Sequence, residues 1–85
     1  MTVAAGLEIL QALTARRGKD YANMVSTLGQ ITVMLTSVLG GDTRKEVSMT
    51  RSLAEHSKVC AKLLNVNPHE LWEDVMMVGQ KMMEE

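Results

Sequence analysis

Glu70, Glu73 and Asp74 stand at i, i+3 and i+4, a spacing at which carboxylates share a helix face and can hold Mg²⁺ through oxygen. The same acids suit the positive end of a helix dipole, which by itself accounts for them. His56 and Cys60, four apart, could face one metal ion, with a further ligand from His69 or another subunit. A buried thiol beside a polar His is the simpler account. Arg16, Arg17 and Lys19 make the basic knot of the chain. It could meet a phosphate or an acidic partner, or supply C-terminal helix charge beside a solvated loop. Eight of the 85 residues are Met, and Met76, Met77, Met82 and Met83 cluster near the end of the chain. With Trp72 they could form an adaptable recognition surface, although such Met residues are more often core filler. No Ser/His/Asp or Cys/His/Asn pattern for nucleophilic catalysis is recognisable.

These side chains must be carried by helices, since no stretch shows strand alternation. From Thr2 to Arg17, Val3, Leu7, Leu10 and Leu13 recur at helical spacing among alanines, with Arg16 and Arg17 in the last turn and Gly18 as a left-handed exit. Asp20 can cap a second helix, 20–39, whose apolar set is Tyr21, Met24, Val25, Leu28, Ile31, Leu35, Val38 and Leu39, and Gly40-Gly41 stops it. Thr43 and Glu46 stand in the relation of a capping box and open a third helix, 43–64. Its inner side holds Val47, Leu53, Ala54, Cys60, Ala61 and Leu64. Asn67 is a fit N-cap and Pro68 a fit first residue for a fourth helix, 67–84, bearing Leu71, Trp72, Val75, Met76, Gly79 and Met82. The fold expected is all-α, a bundle of three to four helices in a single domain, 1–85.

Nine Lys and Arg against ten Asp and Glu leave a net charge of −1, which argues against nucleic acid and anionic membranes as partners. An apolar share of 46% argues against disorder, and one Cys excludes an internal disulfide. Met1 to Gly6 lack the basic start and apolar run of a secretory signal, so a cytoplasmic location is expected.

Between Tyr21 and Gly41 there is no charged residue, while Asn23, Ser26, Thr27, Gln30, Thr32, Thr36 and Ser37 are neutral and polar. That many polar groups argue against a membrane span. A surface helix normally shows a charged outer face. Either small polar residues here face water, or a second chain covers them. Cores this small barely exceed the entropy of ordering the chain, and Val33 and Met34 lie off the main stripe. A homo-oligomer, dimer or higher, is therefore expected through helix 2, with Tyr21, Val25, Leu28, Ile31, Val33, Met34 and Leu35 near the contact.

Two stretches resemble known families. Arg17-Gly18-Lys19-Asp20-Tyr21, then Leu28, Ile31 and Leu39-Gly40, with His69-Glu70-Leu71-Trp72-Glu73-Asp74-Val75, resemble short phage-borne relatives of the MazG-like all-α nucleoside triphosphate pyrophosphohydrolases. The resemblance implies an oligomeric helical fold with Mg²⁺-bound acids acting on a nucleotide. Ser26 and Thr27 stand where that superfamily has an acid. Glu70, Glu73 and Asp74 would then carry the metal, with Lys58 or Lys62 near phosphate. Cys60 to Leu71 is similar to the closing helices of Cro/repressor-type helix-turn-helix domains, which implies DNA binding. The uncharged helix 2 and the net charge count against that.

The function expected first is a non-enzymatic, self-associating interaction protein. It needs no cofactor and binds a protein partner through Trp72, Met76, Met77 and Met83. By the first resemblance it is a phage-type accessory or inhibitor. A MazG-like nucleotide-binding or Mg²⁺-dependent hydrolytic protein is the alternative, and a repressor-like DNA-binding module the second.

Overall fold

The computed structural model describes residues 3–84. Four helices follow one another: α1 (Val3–Arg17), α2 (Lys19–Leu39), α3 (Thr43–Leu64) and α4 (Pro68–Met83), with no strand among the described residues. The chain is thus an all-α bundle. Thr2, expected as the first residue of helix 1, and the side chain of Val3 lie outside the described residues.

The junctions follow from local chemistry, with two corrections. Gly18 alone joins α1 to α2, at φ 96° and ψ 164°, a region open almost only to glycine. Its carbonyl accepts from the Ala22 amide, so α2 begins at Lys19 and Asp20 lies inside the first turn instead of capping it. At α3 the cap is Asp42, whose carboxylate accepts from the Lys45 amide at 3.1 Å, and Thr43 is the first helical residue. The cap expected at Thr43 lies one position earlier, because the neighbouring acid takes it, and Lys45 at the third helical position cannot complete a capping box. Asn65, at φ 56°, closes α3: its amide reaches Lys62 and the Val66 amide reaches back to Ala61. Asn67 then caps α4, its side-chain oxygen accepting from the amides of His69 and Glu70, with Pro68 in the first turn as expected.

α2 touches all three other helices, as does α4, whereas among the described residues α1 and α3 do not meet. α4 lies along α2, from Tyr21 against Asp74 to Thr32 against Gly79. The two axes come close at Gly29 and Gly79, where a Cβ on Gly29 would stand 3.2 Å from Val78 Cγ1. Leu13, Tyr21, Ala22, Val25, Leu28, Ala61, Leu71, Val75 and Val78 form the core of this body. By length and composition α2 could cross a membrane; here it is the helix on which the others pack.

The core occupies only part of the molecule. The buried residues of α2 are Tyr21, Ala22, Val25, Leu28, Gly29 and Thr32, which cover about a third of the helix circumference at 3.6 residues per turn. From Val33 to His56 no residue is buried. The far end of α2 and the near end of α3 therefore form a two-helix arm, which meets the body where Leu53 packs against the core. The Cα trace spans 37 × 31 × 14 Å, a slab rather than a ball.

Candidate functional site

The residues singled out for chemistry are largely engaged in holding helices together. Arg17 reaches Glu70 at 3.0 Å, and its guanidinium lies 4.6 Å over the Tyr21 ring. The Tyr21 hydroxyl donates to Asp74, while His69 and Glu73 pair along α4 at 2.9 Å. Burial, and then the hydrogen bond to Asp74, push the Tyr21 phenol above its ordinary 10.0. Arg17, Tyr21, Glu70 and Asp74 thus form a latch that fixes the α1–α2 corner to the start of α4. Each acid of the Mg²⁺ alternative already has a protein partner. Among the described residues, no group of three or more His, Cys, Asp and Glu is placed to hold a metal ion. Cys60 is buried and His56 exposed, so the pair does not converge on one site. Lys58 pairs with Glu55 at 2.9 Å, and Lys62 is exposed.

On α4, Trp72 is half-buried against the core, while Met76, Met77 and Met83 are exposed. Helical register puts Trp72, Met76 and Met83 on one side and Met77 about 100° away from Met76, so the four do not make one patch. Trp72 faces α3 across a shallow groove of about 200 Å³ lined in part by Ala54, Ser57 and Lys58.

The residues expected at a self-contact divide in three. Tyr21, Val25 and Leu28 are a correction: the chain's own core consumes them, so they offer no surface. Ile31, Val33 and Leu35 are half-buried. Met34 is 60% exposed, and it is joined by residues that the sequence pattern had assigned to inner stripes: Val38 at 74% and Val47 at 51%. Met49, at 42%, was not singled out. The signal for Met49 lay in a second stripe on α3, where Met49, Ser52, His56, Val59 and Leu63 recur in steps of three and four. Val59 and Leu63 in that stripe are also exposed.

Between the two helices of the arm runs an apolar groove of about 260 Å³, lined by Met34, Leu35, Val38, Leu39 and Met49, with Ser48 and Lys45 at its edge. Lys45 is matched locally by Asp42 at 4.0 Å. What this arrangement can do is bury side chains of another polypeptide. The neutral polar residues Asn23, Thr27, Gln30 and Ser37 of α2 face outward, so the uncharged helix presents a neutral face as well as an apolar groove. Compared with known families and proteins, the chain matches no family model, no curated protein and no solved structure.

Proposed function

We propose that this chain is a non-enzymatic helical interaction module that self-associates and works by binding another protein. The observation that carries this is the arm: from Val33 to His56 no residue is buried, and Met34, Leu35, Val38, Leu39 and Met49 line an apolar groove there, beside a body with its own core. Contiguous apolar surface on a small domain marks contact with another macromolecule. Of the acids, Glu70 and Asp74 tie α4 to the α1–α2 corner through Arg17 and Tyr21, while Glu73 pairs with His69 within α4. A second surface, the side of α4 with Trp72, Met76 and Met83, fits a protein partner, since Trp and Met supply large adaptable contacts. Neither family resemblance is needed for this assignment.

Light scattering over a concentration series tests it. The expected mass exceeds one chain of 9.4 kDa and falls on dilution. A single-chain mass maintained at the highest concentration would overturn self-association.

A further inference from the structure

The α2–α3 arm makes no interior of its own. Two helices joined by a tight turn bury one seam between them and leave both outer sides wet. Here even that seam is incomplete, because Leu35 and Leu39 are only half-buried. We infer that a second copy of this chain seats its own arm against this one about a two-fold axis. Met34 and Val38 of the two copies then meet at the axis, and the paired arms close into an intermolecular four-helix bundle. This rests on the self-association proposed above and adds where the contact lies and what fills it.

Three observations select a second copy as the occupant. Helix number is the first: two helices cannot enclose a core, and the same two from a partner supply the missing walls. Charge is the second. From Tyr21 to Gly41 α2 carries no ionised side chain, so it offers nothing to a partner of opposite charge and sets no like charges against each other when it faces itself. Shape is the third. The groove of about 260 Å³ is smaller than the roughly 300–1,000 Å³ of small-molecule pockets. Beside it protrude Met34 and Val38, so one surface holds both the projection and the recess that an isologous contact requires.

The experiment uses the full chain in four forms: wild type, Met34→Glu with Val38→Glu, Met34→Lys with Val38→Lys, and Met77→Glu. Met34, Val38 and Met77 are exposed in the single chain, so each variant keeps its helices, which circular dichroism and the fluorescence of the lone Trp72 verify. The expected result is a two-chain mass for wild type and for Met77→Glu, and a one-chain mass for each double variant alone. An equimolar mixture of the Glu and Lys variants regains the two-chain mass, because opposite charges then meet at the axis. A double variant that stays dimeric overturns this placement and leaves self-association standing. A mixture that stays monomeric overturns the meeting of Met34 and Val38 across the axis. A wild type that is monomeric at every concentration overturns both.

Discussion

Tyr21 does three things at once: its ring fills the core, its face takes Arg17, and its hydroxyl donates to Asp74. Burial first, and the Asp74 hydrogen bond second, keep the phenol protonated above its ordinary 10.0. The unfolded chain has no such protection and loses that proton near pH 10. Stability is therefore fully present below pH 10 and declines as pH climbs above it, because ionisation favours the unfolded state. With one Tyr in the sequence, phenolate absorbance reports this residue alone. The expected outcome is that phenolate appears only together with loss of helical circular dichroism. A phenolate signal near pH 10 with helix content intact would mean the latch does not hold. Tyr21→Phe should cost about 1–2 kcal/mol in urea unfolding, since it leaves the half-buried Asp74 without its donor. None of this was legible from sequence. Tyr21 and Asp74 are 53 residues apart, and periodicity names the face a residue occupies without naming what it meets.

At the scale of the elements, helix content and order were legible because each segment repeats apolar residues at three and four and is bounded by Gly, Asn or Pro. The caps were less so. Asp42 and Thr43 are adjacent, both can cap, and only the backbone turn after Gly41 decides between them. The α2–α4 crossing was not legible either, since Gly29 and Gly79 lie in separate helices and nothing local pairs them. Its asymmetry gives a paired prediction. A Cβ on Gly79 would meet the Gly29 carbonyl at 3.4 Å and Thr32 at 3.6 Å, ordinary contact distances. A Cβ on Gly29 would press on Val78 Cγ1 at 3.2 Å, with the α4 backbone close behind at Gly79 N and Val75 O. Gly79→Ala should therefore be neutral or stabilising by up to about 1 kcal/mol, the helix propensity gained. Gly29→Leu should cost about 1–3 kcal/mol by forcing the axes apart. Urea midpoints of the two variants check this, and equal losses would show that the helices do not approach at these glycines.

For the whole molecule, the absence of charge on α2 from Tyr21 onward was the feature of the sequence that bore most on architecture, and it was only half decoded. It indicated a helix without an ordinary surface, and the fold buries its inner face against α1, α3 and α4. It could not say which residues the body would consume, so Tyr21, Val25 and Leu28 were expected outside and Val38 and Val47 inside. The division into body and arm has a thermodynamic consequence. Amide hydrogens exchange through the cheapest opening available, and a segment that buries little can open without unfolding the rest. In a dilute single chain the arm amides from Val33 to His56 should exchange by local opening, while those around Val25, Ala61 and Val75 wait for global unfolding. Pairing of two arms changes this by mass action, because each opening must first break the shared contact. Raising the chain concentration should thus slow exchange across the arm more than across the body, and the melting midpoint should climb with it. Arm amides that are as protected as the core at the lowest concentration would show that the hairpin is stable alone. Arm amides whose exchange ignores concentration would show that no second chain covers it.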